Sequence, residues 1–462
     1  MNELKTDVAI IGAGTAGLAA YRAVLREGKQ AILIEGGPYG TTCARVGCMP
    51  SKLLIAAAHA AHIAAHTQPF GIHVDGNIRV EGREVMARVK AERDRFVGFV
   101  LDNLENIPAE HKLRGYARFV GPQVLEVDAH TRVQAQAVVI ASGSAGFVPP
   151  SFRELGDRLV VNDDVFEWND LPKRVAVFGP GVIGLELGQA LFRLGVDVRM
   201  FGVSGSLGSI KDPQVRQAAK KIFQKEFYLD PDARVLHTKR MGDEVEIKYI
   251  ALDNTECTER FDYVLMATGR KPNLAGLDLA QARVEVPDNG VPAFNKLTMQ
   301  IGALPIFIAG DVNADVPLLH EASDEGHIAG SNAANFPNVK AGQRRAPLSV
   351  VFTDPQIATV GIYPSHDQSN YVTGSLDFTN QGRSRVINEN HGLLHIYAEK
   401  ETGLFVGAQM VGPRAEHLGH LLAWALQQNM TVHEMLTMPF YHPVIEEGLR
   451  TALRDATRQL SS

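Results

Sequence analysis

Cys43 and Cys48 stand in the stretch GTTCARVGCMPSK, residues 40–52, and they are two of only three cysteines in a chain of 462 residues. So few cysteines over such a length cannot form a stabilising disulfide framework, which belongs to small secreted domains, so a close pair points to redox or metal chemistry. A metal centre needs further ligands, and none is grouped with the pair: His59 and His62 lie well along the Ala-rich segment that follows. In a regular helix, residues five apart have Cα atoms about 8 to 9 Å apart, beyond the roughly 7 Å that a disulfide can bridge. Gly47 offers a place to distort the backbone. Pro50 suits the first turn of the helix that follows, which puts Cys48 at a helix N-terminus, where a thiol's pKa falls and the thiolate is favoured. A labile, reactive disulfide fits this pattern better than two buried thiols packed as small hydrophobes. Cys257, in DNTECTERFDY, reads as an incidental thiol.

A reactive pair needs an electron source, and the glycine patterns supply candidates. TDVAIIGAGTAGLAAYRAVLREGKQAILIEGG reads as a buried strand, a glycine turn, an amphipathic helix and a second strand, with Gly12, Gly14 and Gly17 spaced as a dinucleotide fingerprint. The turn lets backbone approach a pyrophosphate at a helix N-terminus, and Glu35, closing the second strand, can hydrogen-bond a ribose hydroxyl. KRVAVFGPGVIGLELGQALFRLGVDVRMFG repeats the pattern with Gly179, Gly181 and Gly184. Glu35 lies 18 residues after Gly17, whereas 18 residues after Gly184 stands Gly202, which carries no carboxylate. No arginine follows Gly202 directly to hold a 2′-phosphate, so the choice between NAD and NADP stays open.

The rest of the chain frames these units. AVVIASGS and YVLMATGRKPN read as strand-to-turn crossings between nucleotide domains, and PIFIAGDVN ends a buried strand at Gly310 and Asp311, where an aspartate by itself is a turn residue. From about Gln343 the character changes to short β-like runs and helices, as in a separate C-terminal domain. Hydrophobic residues make up 45% of the chain, ample for packed cores, and the formal net charge is −6. There is no basic run with interleaved aromatics, so nucleic acid is not an expected partner. No apolar run approaches the roughly 18 to 20 residues of a membrane span, and the expectation is a cytoplasmic protein.

GTTCARVGCMPSK, the two fingerprints, MATGRKPN, AGDV, FTDPQIATVG and FYHPVIEEGL, in this order, resemble the flavin-dependent pyridine nucleotide-disulfide oxidoreductases over nearly the whole chain. Within that family the motifs are most similar to those of the dihydrolipoyl dehydrogenases. The resemblance implies an α/β fold with two Rossmann-like domains, for FAD and for NAD(P), and a C-terminal α+β dimerisation domain. The implied division is a first FAD-binding part over 1–150, an NAD(P)-binding domain over 151–273, a second FAD-binding part over 274–343 and an interface domain over 344–462. It further implies that Gly12, Gly14, Gly17, Glu35 and Asp311 hold FAD and that Gly179, Gly181 and Gly184 hold NAD, with NADP as the alternative. Thr42, Ser142, Gly143 and Gly269 are additional candidate cofactor contacts. Cys43 matches the thiol that exchanges with substrate, Cys48 the thiol beside the flavin, and Lys52 and Glu186 a lysine–glutamate pair near it. Taken alone, Lys52 would be a solvated helix lysine and Glu186 a glutamate favoured by the helix dipole. His442 and Glu447 match an acid–base pair supplied by the second subunit, which implies a homodimer. The implied substrate is dihydrolipoamide, or another small dithiol or disulfide, with a 2-oxo acid dehydrogenase complex as candidate partner.

The chain departs from the usual dehydrogenase pattern in several places. Thr41 replaces a glycine, Ala44-Arg45 a Leu-Asn, Tyr441-His442-Pro443-Val444 a His-Ala-His-Pro-Thr type run, and Gly202 the ribose acid. One rival reading is an NADPH-dependent reductase of the glutathione reductase kind, for which Arg22 falls at a substrate-binding position. The other is a flavoprotein serving chiefly as a complex subunit or redox sensor.

Overall fold

A computed structural model describes residues 1–365 and 368–460; residues 461 and 462, the end of the expected C-terminal segment, lie outside the described residues. The chain forms two compact units, one of residues 1–50, 91–147 and 270–344, the other of residues 51–90, 148–269 and 345–462.

The first unit is built on a seven-stranded sheet. The strand Asn2–Ile11 lies between Ala31–Glu35 and Thr131–Ile140, parallel to both. Ile306–Ile308 adds a further parallel strand against Thr131–Ile140. Strands buried on both faces must be apolar throughout, and Val8, Ala9, Ile10 and Ile32 to Ile34 are accordingly buried. The helices Thr15–Arg26 and Leu319–Asn335 contribute Ala16, Ala20, Ala329 and Ala333 to the core on one face of this sheet. On its other face Ile11, Ile34, Val138 and Ile140 join Leu274, Leu277 and Leu279.

The second unit contains a five-stranded parallel sheet in the order Tyr228–Asp230, Asp197–Phe201, Arg174–Phe178, Tyr263–Met266, Leu159–Val160. It also holds an antiparallel three-stranded sheet and an antiparallel five-stranded sheet. The latter, from Leu348–Val351 to Phe405–Gly412, packs against the helices Ala415–Gln427 and Glu447–Leu460 through Leu418, Leu422, Leu449 and Leu453. Residues 51–90 fall inside the segment expected to be the first part of one nucleotide domain, yet Leu54, Ala58, Met86 and Val89 pack with Leu185, Leu191 and Val198 of the second unit. An Ala-rich amphipathic helix gives no sequence cue to which sheet will cover its apolar face.

Asp212 ties two parts of the second unit together. One carboxylate oxygen caps the helix Pro213–Phe223 by accepting from the N–H groups of Gln214 and Val215. The other accepts from His395 Nδ1 at 2.8 Å and the Tyr397 hydroxyl at 2.7 Å. Burial acts to raise the Asp212 carboxyl, but His395, Tyr397 and the Val215 N–H outweigh it and hold it at about 2, below its ordinary 3.8. A depressed carboxyl contributes stability that is present above its unfolded value and lost as pH falls through the folded one. Asp212→Asn should therefore cost about 2 kcal/mol at pH 7 and flatten the acid limb of stability between about pH 4 and pH 2, read by urea unfolding across that range.

Candidate active site

The first glycine turn joins the strand Asn2–Ile11 to the helix Thr15–Arg26. Gly12 has φ +107°, and a Cβ there would lie 2.3 Å from the Ala141 carbonyl oxygen. A Cβ on Gly17 would meet the Gly12 carbonyl at 1.8 Å, so only glycine lets helix and turn approach this closely. At Gly14, the N-cap, a Cβ would meet nothing within 4 Å, which leaves the helix N-terminus open. Glu35 is drawn over the turn: its carboxylate accepts from Ala13 N–H at 2.8 Å and Gly37 N–H at 2.7 Å. A carboxylate has about four acceptor positions, so capacity remains for a ribose hydroxyl.

The second copy repeats this geometry. Gly179 has φ +101° and packs on the Ala267 carbonyl, Gly184 packs on the Gly179 carbonyl, and Gly181 is open. The Gly12 N–H donates to Ile34 O in the first copy and the Gly179 N–H to Phe201 O in the second, which puts Gly202 at the place of Glu35. Both turns fit a dinucleotide: an open helix N-terminus over a backbone cradle that any side chain would fill.

Between Cys43 and Cys48 the helix breaks. Cys43, half-buried, lies in the short helix Thr42–Val46, and Cys48, exposed, is the first residue of the helix Cys48–Ala65, with Pro50 in its first turn. Gly47 turns tightly enough that a Cβ on it would sit 3.0 Å from Thr42 O and 3.1 Å from Cys43 Cα. Thr41 caps the short helix through its hydroxyl, which accepts from Ala44 N–H, at φ 59° and ψ 150°. That backbone region is nearly exclusive to glycine, so threonine here stores strain beside the cysteines.

Glu186 and Lys52, matched in sequence as a lysine–glutamate pair, are joined by an ion pair. Glu186, on the helix Val182–Arg193, is 4% exposed. Its carboxylate accepts from Lys52 Nζ at 3.0 and 2.8 Å, from Ser51 Oγ at 2.9 Å and from the Phe352 N–H at 3.0 Å. Lys52 Nζ also lies 4.6 Å from the centre of the Phe352 ring, a cation–π contact. Four hydrogen bonds from three donors, one of them the Lys52 cation, compensate the burial of this carboxylate. Ser51 and Phe352 escape sequence reasoning; the only signal was their presence inside the motifs MPSK and FTDPQ.

His442 and Glu447 are paired, Nδ1 to Oε2, at 2.9 Å. Glu447 opens the helix Glu447–Leu460 and also accepts from Val444 N–H and from Arg450. Burial acts to raise its carboxyl, while the Val444 N–H, His442 and Arg450 together hold it below its ordinary value. The carboxylate fixes one ring nitrogen of His442 and leaves the other outward on a ring 79% exposed.

The two crossing motifs meet where Ser144–Gly146 pairs antiparallel with Arg270–Pro272. Ser142 Oγ donates to Asn273 O, and Asn273 N–H donates to Gly143 O. Asp311 is more than a turn residue: it begins a single 3₁₀ turn and accepts from Ser144 Oγ at 2.9 Å. Arg270 donates to the same hydroxyl and lies 3.9 Å from the Asp311 carboxylate. The turn is held from beneath by Glu325, fully buried, which accepts from Gly310 N–H and Asn313 Nδ2. Gly269, at φ +119°, stands at the last residue of a second-unit segment and has open space where a Cβ would be. Arg22 is exposed on the first helix.

Among the described residues no helix is long and apolar enough to cross a membrane, and no group of His, Cys, Asp and Glu could hold a metal ion. Curated relatives include dihydrolipoyl dehydrogenase of Haloferax volcanii, 29% identical over 98% of this chain and 97% of that protein. Another is dihydrolipoyl dehydrogenase of Geobacillus stearothermophilus, 28% identical over 96% of this chain and 94% of that protein. Among solved structures, LpdA of Mycobacterium tuberculosis superposes with a TM-score of 0.83 at 24% identity, covering 97% of this chain and 99% of that one. The HOCl-induced flavoprotein disulfide reductase RclA of Escherichia coli gives 0.79 at 20% identity, covering 98% and 99%, a likeness of fold. Residues 348–453 match the dimerisation domain of the pyridine nucleotide-disulphide oxidoreductases. Residues 6–326 match the Pyridine nucleotide-disulphide oxidoreductase model itself, and the chain belongs to that family of FAD-dependent, NAD(P)-binding enzymes.

Proposed function

We propose that the chain oxidises dihydrolipoamide with NAD⁺ through a Cys43–Cys48 disulfide, as one subunit of a homodimer. The observation that carries this reading is the placement of Cys48 at the head of an 18-residue helix, one tight turn beyond Cys43. When bound, FAD and the nicotinamide nucleotide supply two-electron transfer that side chains alone cannot. The first glycine turn, Glu35, Thr42, Lys52, Ser142, Gly143 and Asp311 would hold FAD; the second turn and Gly269 would hold the nicotinamide nucleotide. One substrate thiolate attacks Cys43 Sγ, forming a mixed disulfide and displacing Cys48 as thiolate, which the helix N-terminus stabilises. His442, contributed to the partner's cysteines, takes the proton of the second substrate thiol. That thiolate attacks the substrate sulfur of the mixed disulfide, closes the cyclic disulfide and releases Cys43 as thiolate, so the chain gains two electrons and the substrate, counted from its monothiolate, loses two electrons and one proton to His442.

Anaerobic addition of dihydrolipoamide to the FAD-loaded protein, followed by NAD⁺, tests the reading: NADH should accumulate through repeated turnovers. If dihydrolipoamide is inert while NADPH drives reduction of glutathione disulfide or another small disulfide, the substrate assignment fails; the missing ribose acid at Gly202 is the observation favouring that second reading. A protein binding FAD but turning over neither dithiol nor disulfide would act as a complex subunit or sensor. His442→Gln should lower kcat for dihydrolipoamide oxidation by about 10² to 10⁴. Glu447→Gln should lower it less and remove the limb of the pH–rate profile set by loss of the Glu447 charge, which lies below the ordinary carboxylate range.

A further inference from the structure

The two glycine turns differ at one coupled pair of positions. In the first, Ala13 donates its N–H to Glu35. In the second, the matching residues are Pro180 and Gly202. Proline has no N–H to give a carboxylate. A Cβ on Gly202 would sit 2.7 Å from Pro180 Cγ, 2.8 Å from Pro180 Cδ and 2.7 Å from the Pro231 carbonyl oxygen. Real Cβ atoms do not approach neighbours this closely, and one of the obstacles is backbone, so no side chain fits and the glycine here is fixed by space.

The surrounding loop is locked in the same arrangement. Gly202 N–H donates to Asp230 O and Ala233 N–H to Gly202 O. Gly205 N–H donates to Pro231 O, and Gly208 N–H donates to Pro180 O at 2.7 Å. Residues 202–210 carry no charged side chain. Their exposed side chains are the hydroxyls of Ser204 and Ser206, 3.4 Å apart, and the apolar Val203, 76% exposed, while the Ser209 hydroxyl is buried. A hydroxyl can donate to a 2′-phosphate or exchange hydrogen bonds with a 2′-hydroxyl, whereas a carboxylate repels the first and an arginine favours it.

We propose that the Pro180–Gly202 pair makes the adenine-side ribose subsite of the second turn indifferent to the 2′ substituent, so that the chain uses NAD(H) and NADP(H) alike. This rests on the reading of that turn as the nicotinamide nucleotide site. The full-length FAD-loaded protein, titrated by calorimetry with NAD⁺ and NADP⁺ separately, should give dissociation constants within about tenfold of each other. A difference well beyond tenfold in either direction overturns the proposal while leaving the nucleotide site standing. Absence of binding by both, with FAD retained, overturns the proposal together with the reading beneath it. Val203→Arg, at an exposed position that tolerates a long side chain, should shift the ratio toward NADP⁺ by about tenfold or more, since a guanidinium there supplies the missing phosphate partner. An unchanged ratio in a variant that still binds both nucleotides would place the 2′ position away from Gly202 and sink the idea.

Discussion

Cys48→Ser should abolish dihydrolipoamide oxidation, with kcat reduced by about 10³-fold or more, while FAD content and the melting temperature stay at wild-type values. A serine hydroxyl cannot form the disulfide, and it is a far poorer nucleophile and leaving group near neutral pH than a thiol whose pKa a helix N-terminus lowers. Cys43→Ser should lose turnover equally, for a different reason: it keeps the thiol at the helix head but removes the sulfur that substrate attacks. The two variants separate by alkylation. In Cys43→Ser the thiol of Cys48 should react with iodoacetamide at a pH well below that of Cys43 in Cys48→Ser, because only Cys48 begins the helix Cys48–Ala65. Cys257→Ser serves as the control and should turn over normally, since Cys257 lies on the antiparallel strand Glu256–Phe261 and packs at the edge of a hydrophobic cluster. Loss of turnover in Cys257→Ser, or its retention in Cys48→Ser, would remove the paired-cysteine mechanism.

Breaking the Lys52–Glu186 pair should give the largest stability change available from a single substitution at the candidate site. Lys52→Met leaves a carboxylate only 4% exposed with two neutral donors, Ser51 Oγ and Phe352 N–H, and should cost about 3 to 5 kcal/mol. Glu186→Gln should cost less, because an amide oxygen still accepts from Ser51 and Phe352 and the Lys52 side chain, 32% exposed, can turn its ammonium to water. The double variant Lys52→Met/Glu186→Gln should recover part of the loss, the sign of a coupled pair in a double-mutant cycle. Urea midpoints of the four proteins measure this directly. Equal and additive losses would mean that the pair is held apart by water and contributes nothing as a pair.

Local sequence alone determined the chemistry-bearing units. Both glycine turns were legible because strand, turn and helix are contiguous, and the geometry needs glycine at fixed spacing whatever packs around it. The helix break at Gly47 and the helix start at Cys48 follow from residues within one turn of each other. His442 and Glu447, five apart, could likewise be matched as a pair before any coordinates. Partners distant in the chain are a different matter. Nothing near Glu186 announces that it is buried or that Ser51 and the Phe352 N–H share it, because these donors come from two segments distant from its own that only the packing of the second unit brings together. The same holds for Glu325 beneath Asp311, and for Asp212, whose partners His395 and Tyr397 lie about 180 residues away in the chain. Which core residues 51–90 join is decided the same way: Leu54, Ala58, Met86 and Val89 pack with Leu185, Leu191 and Val198, and only tertiary packing decides what covers a helix's apolar face. At the second turn, the sequence showed that the acid is missing at Gly202. Only the structure gave the reason, the ring of Pro180 and the carbonyl of Pro231 filling the place where any side chain would begin.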